Sequence, residues 1–220
     1  MHLVLTPSTP IQGQYGDLIG FYFPGKESPV DLLCNASFLG NFYPGNPFFM
    51  VIQGRSVSFN NAEAAYQSTK YNVGLDIFSS CQTGSEAFKY KQFLDAQGLG
   101  VFDPNFNGFG SKWTAMRQVL EAKFADSTMA GMLCQTDDAF LLEHCDRPGR
   151  DCIWSNNNDG EGTNWLGLLL MYLRNSLLAR HPMHGLENLG LDQNQGPTHT
   201  NHRWMQLVRH HSAVVRRALQ

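Results

Sequence analysis

Glu63, Gln67 and Lys70 stand at i, i+4 and i+7 within NNAEAAYQSTKY, Asn60 to Tyr71. At 3.6 residues per turn this spacing puts a carboxylate, an amide and an amine on one stripe of a helix, beside Tyr66. Such a stripe can supply a general acid or base and a nucleophile. A packing explanation competes with it. Asn60 can cap the helix, with Glu63 at the third position reaching back to the capping amide, and Lys70 can sit where the C-terminal dipole favours a cation. Spacing alone leaves both readings open.

The second candidate is the polar loop DCIWSNNNDGEGTNWLG, Asp151 to Gly167. Structureless stretches of this length are usually functional or disordered. Here a helix with Leu166, Leu169, Leu170, Leu173 and Leu177 on its apolar side follows and anchors the loop, with Thr163 as its cap. Free amides at the start of that helix, with Gly160 and Gly162 allowing close approach, suit a phosphate or a ribose. Trp154 reads equally as a core plug or as a stacking platform for a base. A calcium loop registered on Gly160 would begin at Ser155 and end at Leu166, and lacks the acid needed at each end.

The elements that must position these residues follow from periodicity. Residues up to about Ala36 are rich in Pro, Gly and aromatics and read as strands and turns. FLGNFYPGNPF is an aromatic turn-rich segment, and MVIQGRSVSF a hairpin around Gly54. Helical patterns cover Ala62–Tyr71, Ser85–Ala96, Trp113–Ala125, Thr128–Cys134 and Trp165–Ala179, with Thr83 and Glu86 forming a capping box for the second. LGVFDPNFNGFGSK is a loop. From His181 the chain turns polar, then ends in HRWMQLVRHHSAVVRRALQ, a basic helix with four Arg and no acid, read as a solvated or partner-facing surface.

Composition narrows the function classes. A net charge of −3 argues against gripping duplex DNA through many phosphates. Five Cys with no C-x-x-C pair read as reduced thiols, neither a disulfide frame nor a zinc site. Six of the eight His lie from His181 onward without Cys or carboxylate partners at ligand spacing, so no metal is assigned. MHLVLTPSTP lacks the apolar run of a signal peptide, and LGLLLMYL is too short to span a bilayer. The expectation is an intracellular protein, cytoplasmic or nuclear, with no membrane partner.

FLGNFYP (Phe38–Pro44), AEAAYQSTK (Ala62–Lys70), EAKF (Glu121–Phe124) and DCIWSNNNDGEGTNWLGLLLMYLR (Asp151–Arg174) occur in that order. In this the chain resembles the NADAR family, named for NAD and ADP-ribose, from Phe38 to Leu178. The last block is the most specific, with Asp151, Trp154, Gly160, Gly162, Asn164, Leu166, Gly167, Leu170, Met171 and Arg174 in place. The resemblance implies an α+β fold, a predominantly helical single domain with a small N-terminal sheet. It divides the chain into an N-terminal strand and turn segment (1–36), a NADAR-like core (37–180) and a polar linker with a basic C-terminal helix (181–220).

The resemblance also implies a hydrolase of N-glycosyl bonds that needs no cofactor. Its substrate would be ADP-ribose linked to guanine, in nucleic acid or nucleotides, slightly ahead of phosphoribosyl-pyrimidine intermediates of riboflavin synthesis. A non-catalytic ADP-ribose or NAD-binding protein is a third reading. Carried over by position, Glu63, Lys70 and Asp151 would be catalytic. Asn41, Phe42, Tyr43, Gln67, Trp113, Trp154, Asn156, Asp159, Gly160, Gly162 and Asn164 would bind the ligand. Gly40, Ala64 and Ser155 stand where Ser, His and Gly are common in the family, Asn156 stands where some members carry Asp, and Trp113 lies about five residues beyond the spacing of the family Trp. Two mechanisms fit: Glu63 or Asp151 stabilises an oxocarbenium-like sugar and orients water, or Lys70 forms a Schiff base with a ring-opened ribose.

Overall fold

The computed structural model describes residues 18–22 and 28–220. Residues 1–17 and 23–27, and with them most of the expected N-terminal strand and turn segment, lie outside the described residues. In chain order the elements are β1 (Leu18–Phe21), α1 (Pro29–Cys34), β2 (Phe48–Ile52), β3 (Arg55–Phe59), α2 (Ala62–Lys70), α3 (Leu75–Ser80), α4 (Gly84–Gln97), α5 (Lys112–Lys123), α6 (Ser127–Cys134), β4 (Phe140–Glu143), α7 (Trp165–Leu177) and α8 (His202–Ala218). The class is mixed α/β, mostly helical with small sheets, as expected. The chain forms two compact units, one of residues 41–129 and one of residues 1–40 with 130–220.

In the 41–129 unit, β2 and β3 pair as an antiparallel hairpin in register Phe48↔Phe59 to Ile52↔Arg55. Its turn is Gln53–Gly54, both at positive φ (+54° and +72°), the conformation that a tight hairpin needs and that Gly permits. Helix α2 is the centre of the unit, packed against α3, α4 and α5. Ala62, Ala64 and Ala65 are fully buried, so small side chains let these neighbours approach closely. Thr83 and Glu86 make the expected capping box at α4, worth about 1 kcal/mol.

In the other unit, β1 and β4 pair in parallel from Leu18↔Phe140 to Phe21↔Glu143. The sheet expected at the N-terminus is therefore two small sheets, one of which recruits FLLE from far along the chain. All four residues of β4 are buried, so the segment lacks the alternation that marks a half-exposed strand. Helices α7 and α8 both pack on β4. On α8 the residues Trp204, Met205, Val208, Ser212 and Val215 are buried, so the basic terminal helix has an apolar face inside this unit. Trp204 is fully buried and its Nε1 donates to the Thr163 carbonyl at 2.8 Å.

Candidate functional site

Asn61, not Asn60, caps α2: its Oδ1 accepts from the Ala64 amide at 2.8 Å. That places Ala64 at the third helical position and Glu63 at the second, so Glu63 is not the partner of a capping box. The packing explanation for this carboxylate fails on register. Glu63 is buried, and its Oε1 accepts from Gln67 Nε2 at 2.6 Å. Its backbone amide donates to the Asn41 carbonyl at 2.9 Å. The aromatic turn is thereby tied to the first turn of α2.

Two polar atoms in this constellation stand out. Gln67 Oε1 and Asn41 Oδ1 are buried and accept no hydrogen bond among the described residues. The Gln67 amide orientation is set by its donation to Glu63, so the bare oxygen is fixed in place. Asn41 Nδ2 has only a weak acceptor, the Met116 sulfur at 3.6 Å. Buried acceptors are rarely left unpaired, because desolvation without a partner costs about 1–3 kcal/mol each. A ligand carrying hydroxyl groups would satisfy both.

Lys70 ends α2, half-buried, with Nζ 4.3 Å from the centroid of the Tyr66 ring. Phe42 is half-buried near Phe88, with ring centroids 6.3 Å apart. Tyr43 lines a narrow recess with Phe48, Asn60, Asn61, Ala62, Lys123 and Met129. Trp113, expected to bind ligand, lies instead on the inward face of α5, only 2% exposed.

Lys123 was missed by the sequence reading. It is 4% exposed, and burial pushes its ammonium pKa down to about 7. The signal was present: Met116, Leu120 and Lys123 share the apolar stripe of α5, and a lysine in that register cannot reach solvent easily.

Asp151, Trp154, Asn156, Asp159, Gly160, Gly162 and Asn164 belong to the other unit, where most of them hold the loop together. Asp151 Oδ1 accepts from the amides of Ile153 (3.0 Å) and Trp154 (2.9 Å), closing a turn. Trp154 is half-buried, edge-on to Trp165 at 5.6 Å. Asp159 accepts from Asn157 Nδ2 and the Glu161 amide.

Asn156 is not presented to a ligand. It is fully buried, its Oδ1 accepts from the Cys145 and Asn158 amides, and its Nδ2 reaches His144 Nδ1 (2.9 Å) and Ser212 Oγ (2.8 Å). Asn164, also fully buried, pairs with β4 as a strand would, accepting from the Glu143 amide and donating to the Leu141 carbonyl. It also occupies the cap position of α7 expected for Thr163, whose hydroxyl donates to the Ile153 carbonyl instead.

The expected anion cradle is likewise spent. The amides of Thr163, Asn164, Trp165 and Leu166 donate to the carbonyls of Cys152, Ser155, Ile153 and Trp154. Gly160 and Gly162 donate to the Asn156 carbonyl. A side chain at Gly162 would collide with the Ser155 carbonyl, so this glycine serves the loop's packing on itself. Arg174 completes the picture: it is buried, and its Nη1 donates to Thr136 Oγ1 and the Ala139 carbonyl, bracing the turn before β4. Among the described residues no group of three His, Cys, Asp or Glu could hold a metal ion.

No family model matches the chain. A riboflavin biosynthesis protein of Vibrio vulnificus (strain YJ016) is 28% identical over 152 residues, 67% of this chain and 37% of that protein. N-glycosidase YbiA of Shigella boydii serotype 4 is 39% identical over 67 residues, 30% of this chain and 40% of that protein. The chain thus matches well under half the length of either relative. The NMR structure of Escherichia coli YbiA shares the fold, with a TM-score of 0.54 over 77% of this chain and 92% of that chain, at 21% identity. These matches agree with the NADAR resemblance that the four sequence blocks carry. The block Asp151 to Arg174, the most specific part of the resemblance, is largely bonded to itself and to β4, while Gln67 Oε1 and Asn41 Oδ1 are bare buried acceptors around α2 of the other unit.

Proposed function

We propose that this chain is an N-glycosidase that cleaves a ribosyl C1′–N bond, with Glu63 as its central carboxylate. The observation that carries the reading is the buried trio Glu63, Gln67 and Asn41. Gln67 Nε2 holds the carboxylate, and Gln67 Oε1 and Asn41 Oδ1 are bare acceptors beside it. Ribose hydroxyls donating to those two oxygens would place C1′ within reach of Glu63. Cleavage builds positive charge on the sugar, which a fixed carboxylate stabilises better than water does. The same carboxylate orients the incoming water, and the base leaves with a proton.

The name of one relative, a riboflavin biosynthesis protein, supports a phosphoribosyl-pyrimidine intermediate of riboflavin synthesis as substrate. ADP-ribose on guanine is the second reading, favoured by the order and content of the NADAR blocks. Asp151 closes a turn of its own loop and has no part in this reading.

The test uses Asn41→Leu. If Asn41 Oδ1 accepts a ribose hydroxyl, KM should rise about tenfold, the worth of one hydrogen bond. The melting temperature should hold or rise, because a bare buried acceptor has been removed. A lower melting temperature with unchanged KM would make Asn41 a structural residue and remove the sugar site.

A further inference from the structure

We propose that Gln67 and Asn41 make the site selective for a sugar whose 2′- and 3′-hydroxyls are both free, so that it takes ribosides and rejects 2′-deoxy- and 3′-deoxyribosides. The inference rests on the N-glycosidase reading above and deepens it by naming the sugar.

The two side chains, both in the 41–129 unit, present oxygens only. Gln67 is 4% exposed and Asn41 8%, so neither amide can turn to solvent for a partner. Each has its nitrogen directed elsewhere. Gln67 Nε2 donates to Glu63 Oε1 at 2.6 Å, and Asn41 Nδ2 points at the Met116 sulfur at 3.6 Å. Turning the Gln67 amide over would set its oxygen against the Glu63 carboxylate, acceptor against acceptor, so repulsion holds the orientation as well as the bond does. The oxygens left over, Gln67 Oε1 and Asn41 Oδ1, accept no hydrogen bond among the described residues. Both side chains border one residue. Gln67 holds the Glu63 carboxylate, and the Asn41 carbonyl accepts from the Glu63 backbone amide at 2.9 Å.

A ligand at this carboxylate therefore meets acceptors, and the groups that suit them are donors. The cis pair of hydroxyls on ribose supplies two donors on adjacent carbons, next to the C1′ at which Glu63 acts. A phosphate or acyl ester at either position would set acceptor against acceptor, and a deoxy carbon would offer nothing.

The selectivity should be steep, because these acceptors are already desolvated in the folded chain. A hydroxyl that bonds an exposed acceptor merely displaces water from it. Here no protein–water bond is given up, and only the hydroxyl loses hydration. Sites that read a hydroxyl in this way reject the analogue lacking it far more strongly than an apolar pocket rejects one methylene. Intrinsic reactivity runs in the opposite direction. Removing the electron-withdrawing 2′-hydroxyl makes the C1′–N bond easier to break, so slower cleavage of a 2′-deoxyriboside has to come from the protein.

The test compares sugars on the full chain. A phosphoribosylated aminopyrimidine and guanine-linked ADP-ribose are each incubated beside their 2′-deoxy and 3′-deoxy counterparts, altered in the ribose that carries the base, and base release is followed. The expected result is a kcat/KM at least about 100-fold lower for each deoxy form. Asn41→Leu and Gln67→Met should each lower kcat/KM on the riboside and narrow its advantage over the deoxy form whose missing hydroxyl that residue reads. The comparison on the unaltered protein decides the matter even if a variant misfolds. Equal cleavage of riboside and deoxyriboside, or an advantage that both variants leave unchanged, overturns the proposal and leaves the N-glycosidase standing. If no riboside is cleaved, the N-glycosidase reading falls, and calorimetry with ribose 5-phosphate and 2-deoxyribose 5-phosphate decides the sugar reading by itself. Binding of the first at least about tenfold tighter supports it; equal binding, or none, overturns it.

Discussion

At the scale of single residues, Glu63 was readable because an i, i+4 pair with Gln67 is a local feature that any helix would bring together. Its freedom from a capping role was not readable, since Asn60 and Asn61 are chemically identical caps and only the chain's path selects one. Glu63→Gln should lower base release at least about 100-fold, a typical cost of losing a positioned acid or base. The melting temperature should stay within a degree or two, because the glutamine oxygen can still accept from Gln67; activity near that of the unaltered chain would return Glu63 to a structural role. Lys123 is easily overlooked for another reason: a lone lysine near a helix end looks like surface, although the register of α5 puts it on the apolar stripe with Met116 and Leu120. Its folded pKa of about 7 lies below the ordinary lysine value near 10.5, so between those values the unfolded chain binds a proton that the folded one does not. Stability should therefore rise with pH from about 7 to 10, by at most about 1.4 kcal/mol per unit. Urea titrations of Lys123→Met across that range should show this contribution gone and the variant more stable at pH 7.

At the scale of elements, the Asp151–Asn164 loop shows why polarity misleads. A run of Asn, Asp and Gly reads as a ligand cradle, yet these side chains answer the loop's own amides and those of β4. Backbone pairing of this kind depends on contacts distant in sequence, such as Asn164 with Leu141, and leaves no local trace. Asn156→Ala should cost about 2–3 kcal/mol in urea unfolding, since it strips partners from buried groups around Cys145 and Ser212. Ligand affinity should hold in molecules that remain folded; a loss of affinity at full stability would restore Asn156 to the binding residues. The same hub sets a pH response. Asn156 Oδ1 is committed to two amides, so its Nδ2 faces His144 Nδ1 and requires that nitrogen unprotonated. Burial, with the Arg216 charge nearby, pushes the His144 pKa down to about 4 from an ordinary 6.5. Because the unfolded chain protonates first, stability is full above about 6.5 and falls as pH drops toward 4. His144→Asn should flatten that part of the pH–stability curve, and an unchanged slope would show that His144 does not titrate in this way.

At the scale of the whole molecule, the helical class and the hairpin were readable because each long helix carries its own period and caps. The division of the chain was not. Parallel pairing of β1 with β4 joins segments over a hundred residues apart, and a fully buried four-residue strand carries no alternation. The C-terminal helix, polar on its visible face, hides Trp204 and four other buried residues on the other. A chain ended after Arg180 should therefore fail to fold its 1–40 and 130–220 unit, read as lost cooperative melting, while a fully cooperative melt would make α8 dispensable. Trp204→Ala alone should cost about 3–5 kcal/mol. The central claim concerns chemistry, and one experiment reaches it most directly. The full chain is incubated with a phosphoribosylated aminopyrimidine and, separately, with an oligonucleotide bearing ADP-ribose on guanine, and both products are weighed by mass spectrometry. The account predicts an intact base and a free ribosyl phosphate or ADP-ribose from at least one of them, lost in Glu63→Gln. Saturable binding of both compounds with no cleavage of either would contradict it and leave a sugar-binding protein.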